Sequence, residues 1–187
     1  MKKICFIIDS LSGGGAERVV LNLAKAIDNL GHKVHLIILE NKISYELDND
    51  SFLLHILTSD RKLSKNKFWN KVLLSRLLKK KVAEIENQYG ELDLIVSNLE
   101  DSDRTSSMAR LNNLYHCYHI SMQQFLRDKT KHKIFVKHLF RRVKENTRHK
   151  KLYDNSNIIA VSRGVKEDIL DFGVKPKKIV SIYNPFD

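Results

Sequence analysis

With 187 residues, 42% of them hydrophobic and 29% charged, the chain has the size and composition of one ordinary globular domain, which excludes a largely disordered, collagenous or coiled-coil protein. Basic residues outnumber acidic ones by 33 to 22, a net charge of +11, and such an excess draws phosphates, nucleic acid or an anionic lipid surface. The two cysteines, Cys5 and Cys117, stand far apart in apolar runs, and no apolar stretch reaches the roughly 18 residues of a membrane span, so a reduced, cytoplasmic setting with at most peripheral membrane contact is expected.

Lys3 to Ile8 is short, β-branched and aromatic, and apolar on both faces, the pattern of a central parallel strand covered by helices on both sides. Asp9 to Gly15 breaks that run. Ala16, Val19, Val20, Leu23, Ala24, Ile27 and Leu30 then recur at three-and-four spacing, predicting a helix that stops at Gly31. Val34 to Leu39 is the next strand, which makes the opening a right-handed βαβ unit. Further strands are predicted at Phe52 to Leu57, Asp93 to Ser97, Tyr115 to Ile120 and Asn157 to Val161. Helices are predicted at Phe68 to Gln88, Arg104 to Leu111, Lys133 to Lys150 and Val165 to Phe172. This alternation implies an α/β fold with a doubly wound, mostly parallel sheet and helices on both faces. Residues 1–173 read as one domain. Residues 174–187, with Pro176 and Pro185 around the short apolar segment Ile179 to Tyr183, read as a linker.

Ser12-Gly13-Gly14-Gly15 lies between a strand and a helix start, where backbone amides and the positive end of the helix dipole can receive an anion, commonly a phosphate. Glycine allows close approach and positive φ. A tight turn without a ligand is the plainer alternative. A GxGxxG fingerprint would need glycine where Arg18 stands, although Glu40 could imitate the ribose-binding acid, so a dinucleotide-binding oxidoreductase domain is the second reading. Glu17 and Arg18 edge the loop, either as ligand contacts or as a solvated first helical turn.

Asn98, Glu100, Asp101 and Asp103 follow a strand at its carboxyl end, where open α/β sheets place ligands, and they suit sugar hydroxyls. An N-cap for the helix at Arg104 accounts for Ser102 or Asp103 equally well. His116 and His119 lie within a strand and read as packing residues, while His132, His138 and His149 read as members of a basic surface. No cluster has metal-ligand spacing.

Charge is concentrated in two segments. Arg61 to Lys81 holds nine basic residues and no acid, and Arg127 to Lys151 holds eleven basic and two acidic. Lys71, Arg76, Lys79 and Lys80 stand beside one apolar stripe, and Arg141 and Arg142 beside another. Each basic face is solvated at the least, but an ordinary solvated face mixes signs. An anionic membrane or a diphosphate group is the expected partner. A basic interaction module for nucleic acid ranks last, since no RNP motif, zinc ligand set or helix-turn-helix spacing supports it, and no nucleic acid is expected.

The run from Lys3 through Gly13-Gly14-Gly15-Ala16-Glu17-Arg18, followed by Gly31-His32-Lys33-Val34, resembles the opening of glycosyltransferase family 4, in particular bacterial members that extend lipid-linked or surface glycans. The likeness continues at Ile95 to Glu100, Ile159 to Val165 and Ile182-Tyr183-Asn184-Pro185, and covers most of the chain. It implies the GT-B architecture, two Rossmann-like domains across a cleft, of which this chain would be the N-terminal, acceptor-side one. The donor-binding domain, beyond a linker at residues 174–187, would hold most nucleotide-sugar contacts, so this chain is not expected to turn over alone. The activity implied is a metal-independent, retaining hexosyl transfer in polysaccharide biosynthesis, lipopolysaccharide or capsule, at the inner face of the cell membrane. No cofactor is implied; the nucleotide-sugar is a co-substrate, and the acceptor is a glycan or a polyprenyl-diphosphate-linked one. By this resemblance Gly13, Gly14, Gly15 and Glu17 approach the donor phosphates or sugar. Asn98, Glu100, Asp101 and Gln123 face the acceptor. Gln123 stands where many relatives have histidine and cannot titrate, so no catalytic residue is assigned.

Overall fold

The computed structural model describes residues 1–47, 51–58, 67–121 and 147–185. The elements are β1 (Lys3–Ile8), α1 (Gly15–Asn29), β2 (Lys33–Glu40), β3 (Leu53–Thr58), α2 (Lys67–Tyr89), β4 (Leu94–Asn98), α3 (Glu100–Ala109), β5 (Leu114–Tyr118), β6 (Asn157–Ala160), α4 (Arg163–Asp171) and β7 (Lys178–Ser181). Residues 147–153 are also helical. Of the helix predicted at Lys133 to Lys150, residues 133–146 lie outside the described residues. The chain divides into two compact units, Met1–Tyr115 and His116–Asn184.

In the first unit the strand order is β3-β2-β1-β4, and the three pairings are parallel, with Ile4 opposite Val34 on one side and Leu94 on the other. Alternation along the strands splits the side chains between two faces. Cys5, Ile7, Ile37, Leu39 and Ile95 pack with Leu78, Val82 and Ile85 of α2 and with Ala109 of α3. The other parity, including Phe6, Ile8, Leu36 and Ile38, is equally buried, and α1 contributes Val20, Leu21 and Ala24. Each Val, Leu, Ile or Phe so buried contributes about 1.5–3 kcal/mol. Burial also pushes the Cys5 thiol up, which leaves it an inert core residue. The result is the expected α/β fold, a parallel sheet with helices on both faces.

Helix α1 ends as predicted. Gly31 has φ +81°, its N–H donates to Asp28 O at 2.8 Å, and the His32 N–H donates to Ile27 O at 3.3 Å, the paired bonds of a Schellman stop. Helix α3 begins at Glu100, four residues earlier than Arg104, so the segment read as a binding loop is its first turn. The N-cap Leu99 makes no side-chain cap of its own. The cap comes from Asp9, 93 positions away, and left no local signal in the sequence.

In the second unit the order is β5-β6-β7, with β6 and β7 parallel and Asn157 opposite Lys178. Part of the segment read as a linker is therefore a strand. Tyr118, Tyr153, Ile158, Ala160, Ile169 and Val174 form its core. His149, read as a surface residue, is 2% exposed and lies edge-on to Tyr118. Helix α4 is capped by Ser162, whose Oγ accepts from the Val165 N–H at 3.1 Å.

Candidate functional site

The ends of β1, β2 and β4 carry the site residues of the first unit. The chain leaves β1 through α1 to β2 on one side and returns through α2 to β4 on the other. Neighbouring strands therefore lead their chains to opposite sides, the point outside which open α/β sheets bind ligands.

Two carboxylates organise this edge. Glu17, third residue of α1, turns back over the loop, and its Oε2 accepts from the Gly13 N–H at 2.6 Å and the Gly14 N–H at 2.8 Å. Its side chain is almost wholly buried. The sequence left these amides for an external anion. In the folded protein an internal carboxylate takes two of them, because a helix N-terminus attracts negative charge from any source. The loop is further pinned where Tyr45 Oη donates to Gly14 O at 2.8 Å and where Leu11, fully buried, bridges to Ile43. Gly13, at φ +107°, is the position that requires glycine. At Gly15, by contrast, an added Cβ would meet open space.

Asp9, the first residue beyond β1, plays the corresponding part for α3. Its Oδ1 accepts from the Ser102 N–H at 2.6 Å and the Ser102 hydroxyl at 2.5 Å. Burial pushes its carboxyl up to about 6, with Asp101 and Asp103 adding repulsion against the Ser102 hydrogen bonds, which act the other way. Beside it Ser97 Oγ donates to Asp103 Oδ1 at 2.5 Å, and Ser97, Ser102 and Asp103 are buried. Leu99, which joins β4 to α3, sits at φ 75° and ψ 160°, a conformation reserved almost entirely for glycine and costing about 1–3 kcal/mol.

Asp9, Leu39, Glu40, Asn70, Lys71, Leu74, Asp101 and Thr105 line a crevice of about 290 Å³. Of the expected acceptor residues, Asp101 is at this crevice, with its carboxylate 3.1 Å from Lys71 Nζ. Asn98 is 1% exposed and donates to the carbonyls of Ile7 and Val96, at 3.4 and 3.2 Å, so it ties β4 to β1. Glu100 pairs with Arg104 one turn along α3. Gln123, Arg141 and Arg142 lie outside the described residues. Asp9, Asn70 and Thr105 were missed. The signal for Asp9 was available, since it is an acid at the carboxyl end of the first strand.

Of the basic residues on α2, Arg76, Lys79 and Lys80 are exposed, whereas Lys71 is drawn to Asp101. Trp69 and Leu73, 62% and 37% exposed, precede Arg76 and Lys80 at helical spacing, so the four share one side. Among the described residues no helix is long and apolar enough to cross a membrane, and no group of three or more His, Cys, Asp or Glu could hold a metal ion.

Residues 13–187 match Glycosyltransferase Family 4, and the chain belongs to that family. No curated protein matches it. Among solved structures it is similar to Anabaena Alr3699/HepE, in complex with UDP and glucose, at TM-score 0.56 and 20% identity over 100% of this chain and 45% of that one. It is also similar to the lipopolysaccharide outer core galactosyltransferase WaaB in its apo form, at TM-score 0.59 and 18% identity over 99% of this chain and 46% of that one. The likeness shows the GT-B type of fold, and the chain spans about half the length of these structures.

Proposed function

We propose that this chain is the acceptor-side half of a glycosyltransferase that moves a hexose from a nucleotide-sugar, of the uridine diphosphate class, onto a lipid-linked or envelope glycan. The observation that carries the reading is the polar crevice at the carboxyl ends of β1 and β2, in a chain of this family. It sits where an acceptor hydroxyl could be presented to a donor held by a second domain. Transfer then depends on holding that hydroxyl near the anomeric carbon and on stabilising the diphosphate as it leaves. Asp101, at the crevice, contacts the acceptor. Glu17 already supplies the negative charge at Gly13 and Gly14, so the loop offers the donor its open flank at Gly15 and a close, uncluttered approach.

Glu100 and Asn98 position the crevice from behind, and residues 182–185 lead to the donor-side domain. Catalysis needs no metal, and the chain alone does not turn over. The test is to combine it with a donor-side domain and follow radiolabelled sugar from the uridine diphosphate donor to a polyprenyl-diphosphate-linked glycan. Transfer only by the combination supports the proposal. Saturable NAD binding by the chain, without glycan binding, would move it to the oxidoreductase reading.

The exposed side of α2 gives this half its location. Trp69 and Leu73 offer an apolar tip, and Arg76, Lys79 and Lys80 offer charge worth about 1 kcal/mol each at an anionic headgroup layer. The surface docks the enzyme on the inner face of the membrane that carries its acceptor, as lipopolysaccharide or capsule synthesis requires. Trp69 is the one tryptophan of the sequence, so its emission is a direct readout. It should shift to the blue with phosphatidylglycerol vesicles and return at high salt. No shift with vesicles, or preferential binding of RNA or DNA, would contradict the docking.

A further inference from the structure

We infer that the crevice beside Asp9 accepts a neutral or amine-bearing sugar unit and rejects a negatively charged one, and that Asp9 is the residue that discriminates. This rests on the acceptor-side reading above and specifies its substrate class. Three carboxylates line the crevice, and two of them already have a cation. Asp101 is paired with Lys71 at 3.1 Å, and Glu40 with Lys42 at 2.6 Å. Among the described residues no cation pairs with Asp9. Its Oδ1 is taken by the two Ser102 donors, and its Oδ2 receives none.

A carboxylate oxygen in a partly desolvated crevice requires a donor. A sugar hydroxyl or an ammonium supplies one. A phosphate or a uronic carboxylate supplies further negative charge, and the crevice has no unpaired lysine or arginine among the described residues to meet it. The raised carboxyl of Asp9 agrees in direction, since burial first and then repulsion from Asp101 and Asp103 disfavour negative charge there. The charged groups around it are Asp101 and Asp103 of α3, Glu40 of β2 and Lys71 of α2.

Shape agrees with the charge. A volume of about 290 Å³ is at the small end of ligand pockets, which run from about 300 to 1,000 Å³, and suits one or two sugar rings. Leu39 and Leu74 give apolar surface for a ring's C–H face. Thr105, which also lines the crevice, uses its hydroxyl hydrogen on Asp101 O at 2.6 Å, so its oxygen remains an acceptor only. The basic side of α2 can hold a lipid diphosphate, while the crevice holds the uncharged glycan.

The experiment is amide chemical-shift titration of the full chain with methyl α-glucopyranoside, glucosamine and glucuronic acid at pH 7.5. The first two should shift amides at 9, 40, 71–74 and 101–105, and glucuronate should bind about 10-fold more weakly or not at all. Asp9→Asn keeps an acceptor for Ser102, so its spectrum should show an intact fold, yet the preference should shrink to about 2-fold or less. Glu84→Gln, at a carboxylate outside the crevice that pairs with Lys81 at 2.6 Å, should leave the preference in place. Glucuronate binding as tightly as the glucoside, or a preference that survives Asp9→Asn, overturns the inference. If sugars shift amides elsewhere on the chain, the inference fails and the transferase reading stands. If neither these sugars nor a lipid-linked saccharide bind, both fail.

Discussion

Glu17 and Asp9 do the same work in two ways. Each carboxylate satisfies backbone N–H groups at the start of a helix, but Glu17 reaches back three and four residues within its own loop while Asp9 reaches 93 residues along the chain. The local cap closes on itself and is almost wholly buried. The remote cap keeps one oxygen open beside a crevice and holds its charge at a cost. Each accepts two hydrogen bonds on one oxygen, so partner number does not separate them; what marks Asp9 is its place at a strand end beside a crevice, with burial and neighbouring carboxylates raising its carboxyl.

The largest effect should come from breaking the closed cap. Glu17→Ala strands two amides, each bonded to a charged oxygen, and should lower stability by about 3 kcal/mol, read as the loss in a urea unfolding curve. Glu17→Gln keeps one good acceptor and should lose roughly half as much. A loss below about 0.5 kcal/mol for the alanine variant would mean that water replaces Glu17 without cost.

Asp9→Asn should act in the opposite direction. A carboxyl raised to about 6 in the fold, against about 3.9 unfolded, stabilises the protein fully below about pH 4, and that contribution is lost as pH rises through 6. The asparagine variant should therefore gain on the wild type between pH 4 and 7, by about 2 kcal/mol, while its sugar preference disappears. Stability gained with recognition lost is the signature of a site residue. No gain at neutral pH would place Asp9 with Glu17 as an ordinary cap.

A second group must be separated from this slope. His35 is fully buried, with Nδ1 3.1 Å from His55 Nε2 and its own Nε2 without a partner. Burial, with His55 and Lys33 adding to it, holds it down at about 4. The unfolded chain takes the proton first, so this contribution is complete above about pH 6.5 and is lost as pH falls towards 4. Thermal melts from pH 4 to 7 should show the acid-side loss shrink in His35→Leu and the Asp9 slope stand out more clearly. An unchanged profile would remove His35 from the account.

The smallest effect on the fold is expected at Gly15. Its Cβ position is open and it opens a helix, so Gly15→Ala should change stability by less than about 1 kcal/mol. In the reconstituted two-domain enzyme the same change should raise KM for the donor, since the methyl group occupies the flank left for it. A donor KM equal to the wild type would leave the loop a structural turn only.

What the sequence revealed follows the same division between near and far. The βαβ opening, the stop of α1 at Gly31 and the burial of both strand faces were legible because periodicity and end signals lie within a few residues of what they govern. The family resemblance rested on such runs as well. The start of α3 and the role of Asn98 were not legible, because Asp9 caps the one and the Ile7 carbonyl of β1 accepts from the other, across more than 90 positions. Glu17 was recognised as part of the glycine motif, but its occupation of the loop amides becomes visible only once the chain folds back. Lys71 was read as one of several surface cations, and tertiary packing carried it to Asp101.

The central claim is that this chain presents a glycan acceptor at the carboxyl ends of its first strands. Hydrogen exchange of the full chain, with and without a polyprenyl-diphosphate-linked saccharide in anionic nanodiscs, tests it most directly. The account predicts slowed exchange in peptides covering 9–17, 39–45 and 98–105. Slowing confined to the exposed side of α2, with those three segments unchanged, would mean that the chain meets the lipid but not the glycan, and would contradict it.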